Sequence, residues 1–149
     1  MSIEDLRNEI LGVRTITPEY EKKMLHRVPD APSVDRVKFI LERCKGKVVL
    51  NLGCASGDLH WAIGQVAKTL HGIDKEACGH VGCEQLDLDD VIEKELPWFD
   101  NLCFDLVVVG EILEHLGNPG HLLQRLHQYK APLLITVPNA YSAAGAAWM

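Results

Sequence analysis

Several apolar runs of this sequence end in residues that could bind a small ligand. The glycine-rich turn Gly53–Gly57 follows the run Lys47–Leu52. Asp74 ends a second run, Asp87 ends a third, and a fourth ends in Gly110 and Glu111. Carboxylates in such places can accept hydrogen bonds from ribose hydroxyls or an exocyclic amine, and glycine lets a ligand approach the backbone closely. The pattern predicts a binding site for a nucleoside-like ligand.

The spacing within the glycine turn argues against a dinucleotide. A dinucleotide-binding turn reads Gly-x-Gly-x-x-Gly, but Ala55 and Asp58 stand where the second and third glycines would be. Asp58 also places a carboxylate at the start of the next helix, where a pyrophosphate would otherwise bind. The turn therefore favours a nucleoside with little or no phosphate, and a nicotinamide-dependent oxidoreductase is a less favoured alternative.

Apolar and amphipathic segments alternate along the chain, and they predict the elements that hold these residues. Strands are predicted at Lys47–Leu52, 70–73, 84–88, 104–110 and 131–138, with helices over 58–68 and after Asn118-Pro119. About ten residues separate the second and third strands, fewer than a crossover helix usually needs. The alternation predicts an α/β fold with a Rossmann-like, doubly wound, mainly parallel sheet, whose ligand lies at the carboxyl ends of the strands.

The first 45 residues have a helical pattern that differs from the alternation in the rest of the chain. Residues 1–45 are predicted to form a helical cap segment, and residues 46–149 the ligand-binding Rossmann-like domain. Ser2 and Asp5 have the spacing of a capping box, and Ser33 is expected to cap a second helix that ends at Lys45-Gly46. Three prolines between these helices predict a lid or cap with at most a short helix.

Composition narrows the class of protein. The chain has 149 residues, with 15 Lys and Arg against 21 Asp and Glu, a net charge of −6. Because no basic run is present, no nucleic-acid partner is expected. No apolar stretch approaches the roughly 20 residues of a membrane span, and the N-terminus lacks a signal-peptide pattern. The five cysteines are an odd number, so free thiols and a cytoplasmic location are expected.

One cluster has the residue types of a metal site. Cys78, His80 and Cys83 lie within six residues, and thiols and imidazoles are ligands of zinc. No fourth ligand or paired Cys-x-x-Cys motif accompanies them, and no metal site is predicted.

The ordered motifs resemble those of the class I S-adenosylmethionine-dependent methyltransferases. The glycine turn is similar to the first motif of that family, Gly72-Ile73-Asp74 to its ribose-binding strand end, and Leu86-Asp87-Leu88 to its adenine motif. The segment 104–116 and the ending 134–139 are similar to the branch that methylates small molecules such as quinones and sugars. The match covers Lys47 to about Tyr141.

This resemblance implies S-adenosylmethionine as the cofactor, S-adenosylhomocysteine as the product, and a small-molecule methyl acceptor with an oxygen or nitrogen nucleophile. It implies that one set of residues binds the cofactor: Asn51, Gly53, Cys54, Ala55, Gly57, Asp74, Asp87, Leu88, Gly110 and Glu111. His115 lies just beyond the fourth strand, where the methyl group should emerge, and is the candidate general base or substrate contact.

Two departures from the family keep a second function open. The family usually has an acidic residue where Asn51 stands, and that acid helps to position the methionine part of the cofactor. The family's sheet also continues after the fifth strand with a helix and an antiparallel hairpin, but this chain stops at Met149. We therefore expect either a longer protein or a homodimer or partner that covers the fifth strand. The alternative function is a cofactor-binding, non-catalytic regulatory or scaffolding domain.

Overall fold

The computed structural model describes residues 1–13, 36–54, 57–76, 79, 81–90 and 103–138. Within them, five strands form one parallel sheet in the order β3-β2-β1-β4-β5. The strands are β1 (Val48–Leu52), β2 (Thr69–Asp74), β3 (Cys83–Gln85), β4 (Leu106–Gly110) and β5 (Leu133–Thr136). The helices are α1 (Ile3–Val13), α2 (Arg36–Cys44), α3 (Asp58–Val66) and α4 (Pro119–His127), with a 3₁₀ turn at Leu113–His115.

The predicted α/β fold is confirmed. Each neighbouring pair of strands is parallel, and the strand order reverses between β1 and β4. That reversal is the topological switch point, where the ligands of such sheets bind. The described part of the crossover between β2 and β3 contains no helix, as its short length predicts.

The central strands β1 and β4 are buried on both faces, and successive side chains along each strand point to opposite faces. Val49 of β1 packs with residues of α1, α2 and α3 on one face, including Leu6 and Ile40. Leu50 and Leu52 pack on the other face, with side chains of α4 such as those at 122 and 126. The first two helices thus contribute to the core beside the sheet.

Two predicted helix starts are confirmed. Ser2 Oγ accepts from Asp5 N at 3.1 Å, and Asp5 Oδ2 accepts from Ser2 N at 2.8 Å, which is a reciprocal capping box. Asn118 caps α4 by accepting from His121 N at 3.3 Å, with Pro119 at the first helical position. The expected Ser33 cap and the lid between the first two helices lie outside the described residues.

Some strand ends differ from those predicted. The third strand was expected over 84–88, but β3 ends at Gln85, because its partner β2 ends at Asp74, which pairs with Gln85. Asp87 therefore lies in the loop after β3 rather than at its end. In β5, the described strand stops at Thr136, two residues before Pro138. Among the described helices, none is long and apolar enough to cross a membrane.

Candidate functional site

The candidate site is the switch point, defined here as the carboxyl ends of β1, β2 and β4 with the residues that follow them. The turn after β1 depends on two glycines in the left-handed region, Gly53 with φ 78° and Gly57 with φ 88°. A Cβ at Gly53 would lie 3.1 Å from Ile112 Cβ, so the turn and the loop after β4 pack closely. The predicted contact residue Ala55 lies outside the described residues.

The structure brings Asp74 beside this turn. Asp74 is buried at the end of β2, and its Oδ1 accepts from Glu76 N at 2.8 Å. Gly53 N donates to Ile73 O at 2.9 Å, so the turn is hydrogen-bonded to the residue that precedes Asp74. A carboxylate is thus held next to the backbone of the glycine turn.

Asp87 and Leu88 occupy the loop after β3 in different ways. Asp87 is exposed, and its Oδ1 accepts from Asp89 N at 3.0 Å in a local turn. Leu88 is buried in the core cluster of the α4 face. Of the two predicted adenine contacts, only Asp87 presents its side chain to solvent in this arrangement.

A charged pair lies at the end of β4. Glu111 has φ 52°, an unusual value for a residue other than glycine, and its Oε1 lies 3.3 Å from Arg36 Nη1. A Cβ at Gly110 would lie 3.9 Å from the same guanidinium nitrogen. Arg36 was not among the site residues predicted from the sequence. With Ser33 as the predicted cap, Arg36 falls in the first turn of the predicted helix, where a cation opposes the helix dipole, and this was a usable signal.

His115 ends the 3₁₀ turn that follows β4, and it is exposed. The loop that carries it is held by Asp89, whose two carboxylate oxygens each lie 3.0 Å from Gly117 N. The structure therefore places His115 in an anchored loop on the side of the sheet where β4 ends.

Asn51 and Cys54 are buried, and both side chains contact His60 of α3. Asn51 Nδ2 lies 3.3 Å from Nδ1 of His60, and Cys54 Sγ lies 3.6 Å from the same atom. His60 was likewise not among the site residues predicted from the sequence. The spacing of His60 and Ile63 could have revealed it, because positions three apart share one face of a helix, and Ile63 is an apolar core position.

The cysteine cluster is only partly described. Cys83 is half-buried at the start of β3, whereas Cys78 and His80 lie outside the described residues. Nowhere in the described ranges do three or more metal-ligating side chains come together.

A parallel sheet of this strand order, with a glycine turn after β1 and a buried carboxylate after β2, defines a Rossmann-like ligand-binding domain. A family model described as a methyltransferase domain matches residues 22–149. The chain belongs to that family.

Known proteins support this assignment. The ubiquinone biosynthesis O-methyltransferase of Pseudomonas syringae pv. tomato is 31% identical over 139 residues, which cover 83% of this chain and 56% of that protein. The chain thus spans about half the length of the curated relatives it matches.

Two solved structures share the fold. The N-methyltransferase NodS of Bradyrhizobium japonicum WM9, in complex with S-adenosyl-L-homocysteine, has a TM-score of 0.55 and 16% identity, covering 89% of this chain and 71% of its own. An S-adenosylmethionine-dependent methyltransferase of Mesorhizobium loti has a TM-score of 0.52 and 22% identity, covering 68% and 51%. The resemblance in fold to class I methyltransferases is confirmed.

Proposed function

We propose that this chain binds S-adenosylmethionine at the switch point and transfers its methyl group to an oxygen or nitrogen of a small molecule, leaving S-adenosylhomocysteine. The observation that carries the proposal is the close packing of the glycine turn against both the Asp74 strand end and the loop after β4. Membership of the methyltransferase-domain family supports it independently.

The nucleoside half of the cofactor matches the residues after β2 and β3. In the proposed complex, the Asp74 carboxylate accepts hydrogen bonds from the ribose hydroxyls, as a carboxylate at this strand end does in dinucleotide sites. Asp87 accepts from the adenine amine, and Leu88 and the half-buried Leu86 border the ring. Gly53, Gly57 and Ala55 supply close backbone rather than side-chain contacts.

The methionine half of the cofactor matches the residues after β4. It carries both a carboxylate and an ammonium group, and Arg36 and Glu111 offer one charge of each sign within 3.3 Å of each other. Gly110 lets the chain of the cofactor pass close to the backbone. We assign the cofactor carboxylate to Arg36 and the ammonium to Glu111.

Methyl transfer from a sulfonium is an in-line displacement, so holding the acceptor close to the methyl carbon supplies most of the acceleration. An acceptor hydroxyl must also lose its proton, and His115 is the proposed general base. The named activity of the Pseudomonas relative makes phenolic hydroxyls of quinone precursors the first acceptors to test.

A direct assay tests the proposal. The chain is incubated with S-adenosylmethionine and a panel of catechols, phenols, sugars and amines, and acceptor-dependent S-adenosylhomocysteine is measured by mass spectrometry. Product that depends on one acceptor class, and that falls when His115 is replaced by Gln, is the expected result. Turnover that is unchanged in His115→Gln would contradict the role given to that residue.

The second candidate function is a cofactor-binding domain without catalysis, and one observation favours it. The Asn51 amide, which stands where the family usually has an acid, is hydrogen-bonded to His60 inside the core. Binding of S-adenosylhomocysteine without methyl transfer to any of the panel would favour this alternative.

We also propose that a second copy or a partner chain covers β5. Leu133 and Ile135 of β5 alternate along the strand, and with Val137 just after it they are 36%, 43% and 59% exposed, which makes an apolar row. The cytoplasmic location and the lack of a nucleic-acid partner stay predictions from composition.

A further inference from the structure

A buried polar cluster lies beneath the glycine turn, on the α3 side of the sheet. It consists of Asn51 from β1, Cys54 from the turn and His60 from the first turn of α3. These residues are 3%, 5% and 1% exposed. Buried polar groups cost free energy unless they are hydrogen-bonded. The contacts within the cluster therefore bear on which ring nitrogen of His60 carries the proton.

The contacts assign the tautomer of the ring. His60 Nδ1 lies 3.3 Å from the Asn51 amide nitrogen and 3.6 Å from Cys54 Sγ. An amide nitrogen can only donate, so the ring nitrogen that faces it must accept. The contact with Asn51 therefore favours the tautomer that carries its proton on Nε2.

The thiol links the ring to the turn. Cys54 Sγ lies 3.5 Å from Asn51 O and 3.6 Å from Ile73 O, the carbonyls near the ends of β1 and β2. Ile73 O also accepts from Gly53 N at 2.9 Å. The same strand-end carbonyl thus contacts both the thiol and the backbone of the turn.

The His60 imidazole occupies the space beside Gly72 of β2, which has no side chain. Gly72 of β2 pairs in register with Asn51. A Cβ at Gly72 would lie only 2.4 Å from His60 Cε1 and 2.6 Å from Cys54 Sγ. Because the imidazole and the thiol fill the place of a side chain there, the ring is held against the strand that ends in Asp74.

We propose that His60 is a positioning residue of the cofactor site, an inference that rests on the proposed function. Its Nδ1 accepts from the Asn51 amide and lies against the Cys54 sulfur, and these contacts hold the glycine turn in the shape that receives the cofactor. His60 acts through these two residues and makes no cofactor contact of its own.

The test is a set of substitutions read by calorimetric titration with S-adenosylhomocysteine. His60→Asn keeps an acceptor near the position of Nδ1 and should bind within about threefold of the unmodified chain. His60→Leu removes the acceptor and should weaken binding about tenfold, because a buried amide is left unpaired. In an Asn51→Leu background, the same His60→Leu change should have a smaller effect than in the unmodified chain, because only the Cys54 contact is left to lose. His127→Leu, at an exposed histidine of α4, is the matched control.

Each outcome decides the inference. The inference is overturned if His60→Leu binds as tightly as the unmodified chain, or if His60→Asn binds as weakly as His60→Leu. It is also overturned if the effects of substitutions at positions 51 and 60 are additive. If His60→Leu does not fold, His60→Gln replaces it, because the Gln amide reaches the position of Nε2 rather than that of Nδ1. Equal affinity of the His60→Asn and His60→Gln variants would then count against the inference.

A spectroscopic measurement separates this inference from the proposed function. Long-range ¹H–¹⁵N correlation spectra of the unmodified chain should show His60 as the Nε2–H tautomer. The Nδ1–H tautomer would overturn the inference whether or not the cofactor binds. If the chain binds no S-adenosylhomocysteine, the proposed function fails, and the tautomer still decides whether the ring pairs with Asn51.

Discussion

Arg36 and Glu111 form an ion pair across the carboxyl end of β4, with Nη1 3.3 Å from Oε1. Both side chains are more than a third exposed, and a pair of this kind contributes little stability. Glu111 also holds a left-handed φ of 52°, which costs free energy for a residue with a Cβ. A ligand that needs both charges explains this arrangement better than folding stability does.

The first prediction concerns the carboxylate of the cofactor. Arg36→Leu should weaken S-adenosylhomocysteine binding about tenfold or more, because a charged hydrogen bond is lost. Affinity for 5′-methylthioadenosine, which lacks both the carboxylate and the ammonium group, should not change. Calorimetry measures both ligands.

Arg43→Leu is the matched control, because Arg43 lies on the same helix but stacks on Phe39, 3.4 Å from the ring centroid. It should leave both affinities unchanged. If Arg36→Leu lowers the affinity for both ligands equally, Arg36 does not bind the carboxylate.

The second prediction concerns the space above Gly72. Gly72→Ala should destabilise the fold by about 1 to 3 kcal/mol, the usual range for overpacking. In a His60→Ala background the same substitution should cost less, since the ring that lies 2.4 Å from the new Cβ is gone. Urea unfolding of the four chains measures the coupling, and additive costs would refute the contact.

The core elements could be predicted from sequence because their signals are local. β4 is an unbroken apolar run, β1 is apolar except for Asn51, and the Asn118-Pro119 start of α4 depends on adjacent residues alone. The end of β3 could not be predicted in this way. It is set by where β2 stops pairing, a property of another segment.

The site was predictable only where its residues follow strands. Asp74 and Gly53 stand at strand ends, and the doubly wound topology alone brings them to one edge of the sheet. Arg36 and His60 lie on helices, and their contacts with Glu111 and Asn51 depend on which side chain each helix places against these residues. That information arises from packing and is absent from local patterns.

The third prediction concerns the cap of α1. Hydrogen bonds from the Ser2 side chain and backbone lower the pKa of Asp5 below its ordinary value of 3.8. Because the folded pKa lies below the unfolded one, the stabilisation is complete above about pH 3.8 and is lost as the pH falls through the folded value. Asp5→Asn should therefore lower stability at pH 7 and not at pH 2.

An NMR titration of the carboxyl groups checks this cap directly. The midpoint of Asp5 should lie below 3.8 and should rise in Ser2→Ala. Glu9→Gln, at an exposed position of the same helix, is the control for loss of charge. A midpoint of Asp5 at or above 3.8 would contradict the cap.

The fourth prediction concerns the apolar row on β5. If a second copy covers it, sedimentation velocity should show a dimer that Ile135→Glu converts to a monomer, because a charge would be buried in the interface. Val81→Glu is the control, since Val81 is 99% exposed in the loop before β3. A chain that is monomeric at all concentrations, with no associated partner, would contradict the proposed cover.

Binding of S-adenosylmethionine at the switch point can be tested by calorimetric titration with S-adenosylhomocysteine, the product of methyl transfer. S-adenosylhomocysteine should bind the unmodified chain at one site, and Asp74→Ala should weaken binding about tenfold or more through loss of the ribose contact. Glu84→Gln, an exposed charge change on β3, should have no effect. No binding to the folded chain, or equal binding by Asp74→Ala, would contradict the account.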